Sequence, residues 1–196
     1  SGSPERSLFR TVIEDGEGRH FVLEEIQHAL RHRKREIAAA VEFLAAGGLS
    51  GVIPCLRNCC NDFTTEAAGG IWQIAPFVEG LELERPDYTQ DAWRGRSLAR
   101  FLVSMKGLSA GTPSGDPARP FSVAGFIRDL MRRMNRHNPL QARAVEPAFL
   151  FLEGCFFPLS DHLPVAFCHG DFHPLNVIWG DDGIRAIIDW EFSGYK

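Results

Sequence analysis

The sequence lacks any long hydrophobic run, and this absence limits where the protein can act. No apolar stretch approaches the ~20 residues that a helix needs to cross a bilayer. The N-terminus also lacks the basic and then apolar pattern of a secretory signal peptide. We therefore predict a cytoplasmic protein that does not bind a membrane.

Positive charge is not concentrated in the way that nucleic-acid binding requires. The 196 residues include 21 Lys and Arg against 25 Asp and Glu, a formal net charge of -4. The basic residues are spread along the chain, whereas nucleic-acid-binding proteins gather them on one face. The densest basic run, residues 31–35, is typical of the solvated face of a helix. The sequence thus predicts no nucleic-acid partner.

Cysteine is too scarce for a disulfide framework. The chain has five cysteines, an odd number, and Cys59 and Cys60 are adjacent. This usage is typical of reduced thiols. Cys55, Cys59 and Cys60 are not followed by a second Cys/His pair at zinc-like spacing, so a structural zinc site is not expected either.

The first eighty residues have the patterns of a small sheet with one helix. Alternation predicts strands at residues 8–13 and 19–26, joined by the turn sequence EDGEG. Residues 31–46 have helical periodicity and are followed by Gly47 and Gly48, which end a helix. Two further strands are predicted at residues 52–57 and 71–78.

The rest of the chain is mainly helical by its periodicity, after a break near residues 78–86. Three segments have apolar residues at helical spacing: residues 87–109, 121–135 and 142–157. A Gly-, Pro- and Ser-rich loop at residues 110–120 separates the first of these helices from the second.

The residues best suited to chemistry are concentrated in one segment, VAFCHGDFHPLNVIWGDDGIRAIIDWE, which spans residues 165–191. Within it, Asp171 is followed five residues later by Asn176, and Asp189 ends an apolar strand. Phosphoryl transfer needs a carboxylate to accept the proton of a hydroxyl and hard oxygen ligands for Mg²⁺. The segment can supply both.

Two other interpretations of this segment are open from the residues alone. An Asp followed by an Asn in a loop is commonly turn chemistry. A metal-dependent hydrolase could instead use His169, Asp171, His173 and Asp189 as ligands. The hydrolase interpretation leaves Asn176 without a role.

The sequence HGDFHPLN resembles the catalytic loop of the aminoglycoside phosphotransferase and choline kinase-like family, a variant of the HRDxxxxN loop of protein kinases. The resemblance implies that Asp171 is the catalytic base and that Asn176 and Asp189 are magnesium ligands. It implies that His169 and His173 support the shape of the loop. The implied cofactors are ATP and Mg²⁺, and the implied partner is a small-molecule hydroxyl acceptor of the aminoglycoside, amino alcohol or sugar class.

The same resemblance implies an α+β, protein-kinase-like fold of two lobes. Residues 1–80 would form the sheet-rich small lobe, and residues 81–196 the mainly helical large lobe with the catalytic loop and metal-binding segment. The sequence WQIAPFVEG at residues 72–80 resembles the hinge of that family. There, backbone groups of four residues would contact the adenine ring: Ile74, Ala75, Pro76 and Phe77.

Both ends are short compared with family members, so we expect a chain truncated at both ends. Helices that would build much of the acceptor pocket are then missing, and the acceptor cannot be read from the sequence. Truncation would leave apolar surface exposed, which favours a homodimer.

Two phosphate-handling features of the family are altered. Too few residues precede the first strand to supply a glycine-rich loop, and Gly16 and Gly18 belong to an acidic turn. Glu24 stands where the ATP-contacting lysine is expected, and a carboxylate there would repel phosphate. A helix glutamate facing it, Glu36 or Glu42, would add a second repulsion, whereas the composition of protein surfaces favours both as ordinary surface residues of the helix. These changes favour an alternative, a non-catalytic nucleotide-binding or interaction protein of the same fold.

Overall fold

The computed structural model describes residues 7–84, 90–160 and 162–196. These residues form two compact units. The first contains the described residues of Ser1–Gly115 together with Phe167–Gly194, and the second contains those of Asp116–Ala166 with Tyr195–Lys196. The HGD segment therefore belongs to the same unit as the N-terminal sheet. The predicted lobe boundary near residue 80 stays a prediction.

An antiparallel sheet is the frame of the first unit. Its strands are β1 (Ser7–Glu14), β2 (His20–Ile26), β3 (Thr65–Ala67) and β4 (Gly70–Pro76), in the spatial order β1-β2-β4-β3. The β1–β2 turn is the predicted acidic one. Asp15 Oδ1 accepts the N–H groups of Glu17 and Arg19, both at 2.9 Å, and Gly18 adopts a φ of +78°. Three of the four predicted strands are confirmed.

The fourth predicted strand, at residues 52–57, is wrong. This segment lies within the described part of the chain and forms no strand. Val52 makes an isolated bridge to Ile187, while the Leu56 N–H donates to the Ile74 carbonyl at 2.8 Å. The segment thus divides its hydrogen bonds between two elements, and Pro54 has no N–H to offer a ladder.

Helix α1 (Arg31–Ala46), preceded by a short 3₁₀ helix at His28–Leu30, buries one apolar face. The face consists of Ile37, Ala38, Ala40, Val41 and Leu44. Gly48, with φ +87°, ends the helix, and the Leu49 N–H then reaches the Leu44 carbonyl at 3.1 Å. The interpretation of residues 31–35 as a solvated face is wrong for Lys34, which is buried.

The predicted helices of the second half are present, with shifted ends. Helix α2 (Ala92–Leu108) belongs to the first unit. Residues 87–89 of the predicted helix at residues 87–109 lie outside the described part of the chain. Helices α3 (Val123–His137), α4 (Pro139–Cys155) and α5 (Phe157–Ser160) belong to the second unit. In the part of the chain described here, no helix has the length and apolar character to span a membrane.

The caps of the helices in the second unit explain where they begin. The Ser122 hydroxyl accepts the Gly125 N–H at 3.0 Å at the start of α3. Asn138 separates α3 from α4, and its side chain accepts the Gln141 N–H at 3.3 Å. Pro139 follows at the first helical position, which requires no N–H donor.

Short strands carry the segment predicted to be catalytic. Strand β5 (Phe167–Cys168) precedes it, and a 3₁₀ helix (Pro174–Asn176) leads into β6 (Val177–Trp179). Strand β7 (Ile184–Ile187) pairs antiparallel with β6 and is followed by a 3₁₀ helix (Trp190–Phe192) and β8 (Gly194–Tyr195). The buried Trp179 and Ile187 fix the β6–β7 hairpin in the core of the first unit.

Candidate active site

The loop between β5 and β6 brings Asp171 and Asn176 together. Gly170 turns the chain with a φ of +88°, and the 3₁₀ helix Pro174–Asn176 turns it back. As a result, Asn176 Nδ2 donates to the backbone carbonyl of Asp171 at 2.9 Å and lies 3.4 Å from Asp171 Oδ2. The buried amide therefore holds the loop in a shape that leaves the Asp171 carboxylate partly exposed.

Asp189 is tied to the same loop through the β6–β7 hairpin. The Ile188 N–H donates to the backbone carbonyl of Asn176 at 2.9 Å, and Asp189 is the next residue. Asp189 adopts φ +62° and ψ +58°, the left-handed region. Non-glycine residues are uncommon there and remain only where their surroundings hold them. The backbone of Asp189 thus follows directly on a residue that is hydrogen-bonded to Asn176, and Asn176 is in turn hydrogen-bonded to Asp171.

His169 joins the two halves of the site. Its ring is buried, with Nδ1 accepting the Asp171 N–H at 3.3 Å and Nε2 lying 3.0 Å from the Ile188 carbonyl. The neutral tautomer with the proton on Nε2 satisfies both contacts. Burial lowers the pKa of His169 below its usual value, although the Ile188 hydrogen bond and the charges of Asp189 and Asp171 act in the opposite direction.

His173 caps the 3₁₀ helix that carries Asn176. Its Nδ1 accepts the Leu175 N–H at 3.2 Å, and its Nε2 lies 3.2 Å from Asn176 Nδ2 and 3.7 Å from Asp171 Oδ1. Unlike His169, it is partly exposed. Both histidines therefore touch the loop residues, and their role as loop support stays a prediction.

These contacts disfavour the hydrolase interpretation. Among the described residues, no group of three or more His, Cys, Asp and Glu side chains is arranged to hold a metal ion. Both ring nitrogens of His169 face backbone groups, so that ring has no lone pair to offer a cation. A cation here would have to use amide and carboxylate oxygens.

The predicted hinge lies at the end of β4. Ile74, Ala75 and Pro76 belong to the strand and Phe77 follows it. The Ile74 carbonyl already accepts the Leu56 N–H at 2.8 Å, and the Phe77 N–H already donates to the His20 carbonyl at 3.0 Å. Pro76 has no N–H. The contact of these residues with adenine stays a prediction.

A cavity of about 550 Å³ lies beyond the hinge, between the segment after β4 and strand β6. The segment is fixed there because the Leu81 N–H donates to the Trp179 carbonyl at 2.9 Å and Arg185 Nη1 donates to the Glu79 carbonyl at 3.0 Å. The lining residues are Val78, Gly80, Leu81, Glu82, Leu83, Pro174, Leu175, Val177, Ile178 and Trp179. The side of this cavity formed by β6 could be anticipated from the apolar run directly after Asn176.

Lys34 is the charged residue that sequence reasoning missed. Its Nζ lies 3.1 and 3.0 Å from the two carboxylate oxygens of Glu24 and 2.5 Å from Glu191 Oε1. Arg10 Nη2 also reaches Glu24 Oε1 at 2.8 Å. Glu24 is therefore neutralised by two cations. Two features of the sequence could have indicated this ion-pair cluster: the basic run at the start of α1 and the glutamate of the DWE sequence.

Glu24 is paired with neither of the two helix glutamates, Glu36 and Glu42. Glu36 lies 3.4 Å from His32 and 3.6 Å from Arg33, and Glu42 pairs with Arg57 at 2.6 Å. Both glutamates lie on the partly exposed surface of the helix, and the face of α1 directed at β2 carries Lys34 instead of either of them.

The predicted free thiols are confirmed, since all five cysteines are unpaired by disulfides. Cys55 lies close enough to the Lys34 cluster to be affected by its charges. Burial raises the pKa of its thiol to about 12, and the negative charges of Glu24 and Glu191 act in the same direction while Lys34 opposes them. Cys55 is thus a protonated, unreactive thiol at neutral pH.

Comparison with solved structures shows the fold. The chain is similar to an amicoumacin kinase (14% identity, TM-score 0.68, 99% of this chain and 61% of that one). It is also similar to an aminoglycoside phosphotransferase from Alicyclobacillus acidocaldarius (13%, 0.57, 97% and 64%) and to a spectinomycin phosphotransferase (15%, 0.58, 95% and 64%). These likenesses confirm the predicted α+β, protein-kinase-like fold.

The chain spans 61–64% of the length of these three structures. None of the curated proteins matches the sequence significantly. The sequence model of the phosphotransferase enzyme family (APH), however, matches residues 5–196, nearly the whole chain. The resemblance first carried by HGDFHPLN therefore extends over both units, and the chain belongs to the phosphotransferase enzyme family.

Proposed function

We propose that this chain provides the nucleotide and catalytic segments of an ATP- and Mg²⁺-dependent phosphotransferase, a kinase that acts on a hydroxyl of a small molecule. The observation that supports this most directly is the tie between Asp171 and Asn176, with Asp189 next to the residue that bonds to Asn176. The chain spans less than two thirds of the length of the three similar structures, and we propose that it takes part in the activity of a longer enzyme of this kind.

Asp171 would act as the base. Its carboxylate is partly exposed and lies 3.4 Å from the Asn176 amide, so it is oriented without being buried. A carboxylate in this position can accept the proton of an acceptor hydroxyl as the hydroxyl oxygen attacks the γ-phosphorus of ATP. The bond to the leaving ADP oxygen breaks as the new O–P bond forms.

Asn176 and Asp189 would hold magnesium. The amide nitrogen of Asn176 makes the loop contacts, which leaves the amide oxygen as the donor to a cation. Amide and carboxylate oxygens are the hard ligands that Mg²⁺ requires. When bound, Mg²⁺ would offset negative charge on the phosphates. Among the similar structures, the spectinomycin phosphotransferase holds ADP and the amicoumacin kinase holds AMP-PNP with Ca²⁺.

The nucleotide base would lie at the cavity beside Val78, Gly80 and Ile178, next to the hinge residues Ile74 to Phe77. The spectinomycin phosphotransferase holds spectinomycin and the amicoumacin kinase holds Ami, which favours a small-molecule acceptor. Use of ATP is consistent with a cytoplasmic location, which stays a prediction. The homodimer also stays a prediction.

The alternative is a non-catalytic protein of the same fold. The acidic β1–β2 turn favours it, because the carboxylates of Asp15 and Glu17 make that turn unsuited to cradling a phosphate. Glu24 favours it less than the sequence alone indicated, since Lys34 and Arg10 neutralise that carboxylate. Binding of MgATP without transfer of its phosphoryl group to any acceptor is the result that would support this alternative.

Phosphoryl transfer from labelled ATP to a panel of aminoglycosides, amino alcohols and sugars tests the proposal. Asp171→Asn should lower transfer by about 10²-fold or more while MgATP still binds, because only the base is lost. Asp189→Asn should weaken MgATP binding itself. Asp182→Asn, in the exposed β6–β7 turn, is the matched control and should behave like the wild type. Equal transfer by wild type and Asp171→Asn would contradict the proposal.

A further inference from the structure

Lys34 occupies a buried position that a lysine rarely holds without a charged partner. Its side chain is 4% exposed, and those of Glu24 and Glu191 are 10% and 19% exposed. An ammonium group has three N–H donors. Here three carboxylate oxygens lie within 3.1 Å of it. The donors of Lys34 are thus directed at two carboxylates on different elements, and the side chain is held in one place.

One of these carboxylates lies next to the metal-binding candidate. Glu191 follows Asp189 by two residues and belongs to the short 3₁₀ helix Trp190–Phe192. Between them, Trp190 is buried and donates through Nε1 to the Ile187 carbonyl at 2.9 Å. A contact to Glu191 therefore restrains the chain two residues after Asp189, within the same short turn.

A second tether connects the same two elements independently. Arg33 Nη2 donates to the Glu191 carbonyl at 3.2 Å and also to the Ser193 carbonyl, and Arg33 Nη1 lies 3.4 Å from the Ser114 hydroxyl. Arg33 thus binds backbone carbonyls of the segment after Asp189, while Lys34 binds the side chain of Glu191 in the same segment. Two consecutive basic residues of α1 are directed at one short segment.

The arrangement reverses a pairing used in protein kinases. There, a lysine on a strand pairs with a glutamate on the following helix, and this pair must be in place for activity. Here the strand β2 carries the glutamate, Glu24, and the helix α1 carries the lysine. The positive and negative partners have exchanged places, but an ion pair still joins the strand to the helix.

We infer that Lys34 is a positioning residue of the phosphotransferase site, held by Glu24 and acting through Glu191 on the Asp189 segment. This inference rests on the proposed function for its role in nucleotide binding. It explains why a carboxylate stands on β2 where the family pattern has a lysine. It also assigns a role to Glu191, which neither the base nor the metal assignment uses.

Amide hydrogen exchange of residues 188–193 in the nucleotide-free protein tests the positioning directly. Lys34→Met should raise the exchange rate in this segment. Glu191→Gln should raise it as well. This second variant leaves the Glu24–Lys34 pair intact, so it tests the inference even if Lys34→Met does not fold. Glu42→Gln is the matched control, because it removes a surface pair from the same helix and should leave the segment unchanged. Wild-type exchange in both test variants would overturn the inference.

Nucleotide titration of the same variants tests the functional part. Residues that orient metal ligands typically change metal affinity by about 10- to 100-fold when they are replaced. Lys34→Met and Glu191→Gln should therefore weaken MgATP binding by about tenfold or more. If the variants exchange faster but bind MgATP as the wild type does, Lys34 has no role in the site and the inference fails. Absence of MgATP binding by the wild type would instead remove the proposed function and, with it, this role of Lys34.

The exchanged double variant Glu24→Lys with Lys34→Glu separates positioning from simple ion pairing. It restores a strand-to-helix pair in the usual polarity but places a glutamate against Glu191. The inference predicts that the double variant regains stability relative to Lys34→Glu alone, while residues 188–193 still exchange rapidly. Recovery of wild-type exchange in that segment would contradict it.

Discussion

Asn176 illustrates how one side chain can serve two parts of the site. Its amide nitrogen closes the loop on Asp171, and its oxygen is the group proposed to bind a cation. The spacing of Asp171 and Asn176 could be predicted from the sequence because both lie within one short loop. The partner of His169 could not, since the Ile188 carbonyl is 19 positions away and only the folded hairpin brings it within 3.0 Å.

The neutral state of His169 makes stability depend on pH. Because the pKa of this histidine is lowered in the folded protein, the unfolded chain binds the proton more readily. The contribution of His169 is therefore fully present above its unfolded pKa near 6.5 and is lost as the pH falls below that value. We expect the free energy of unfolding to decline in this window.

Denaturant unfolding of wild type and His169→Asn at about pH 7.5 and about pH 5.5 measures this effect. The variant should be less stable by about 1–3 kcal/mol at the higher pH, because the Ile188 carbonyl loses its buried donor. It should also lose less stability on acidification than the wild type does. His137→Gln, an exposed histidine in α3, is the control and should keep the wild-type decline. An unchanged decline in His169→Asn would contradict the assignment.

Helix α1 shows what hydrophobic periodicity can and cannot predict. The apolar face and the glycine stop were predicted correctly, because both depend on neighbours within the helix. The burial of Lys34 was not, because lysine is almost never buried without a partner and its partners are remote in sequence. Glu24 is 10 positions away and Glu191 is 157 positions away. The strand predicted at residues 52–57 was wrong for a related reason, since the hydrogen-bond partners of this segment lie on two different elements.

The segment after β4 packs so closely on β6 that it requires glycine at position 80. A Cβ on Gly80 would lie 2.6 Å from Cγ2 of Ile178, a branched side chain with little freedom to move. Hydrogen bonds at Glu79 and Leu81 prevent the segment from retreating. Gly80→Ala should therefore destabilise the protein by about 1–3 kcal/mol, the usual effect of overpacking.

Thermal and denaturant unfolding of Gly80→Ala against Gly183→Ala checks this prediction. Gly183 lies at the β6–β7 turn with nothing within 4 Å of an added Cβ, so its replacement should have a small effect. Equal stability of the two variants would show that Ile178 and the segment after β4 can separate at little cost. The described packing of the cavity wall would then be wrong.

The molecule as a whole carries the order of elements that the motif resemblance implied: a sheet with one helix, then helices, then the catalytic hairpin. Sequence patterns predicted this order because each element is local. They did not predict that the catalytic hairpin shares a unit with the sheet, which depends on contacts far apart in the chain. The second unit has exposed apolar residues such as Leu140, Phe151 and Leu159, which keeps the homodimer open as a prediction.

The central claim is that this chain forms a magnesium and nucleotide site around Asp189. The measurement that tests it most directly is the thermal unfolding midpoint with MgATP, compared with ATP plus a chelator and with the Asp189→Ala variant. A ligand stabilises only the state that binds it, by about 2.7 kcal/mol at a concentration of 100 times its Kd. We predict a rise in midpoint that needs magnesium and is abolished by Asp189→Ala. An unchanged midpoint in every condition would contradict the claim.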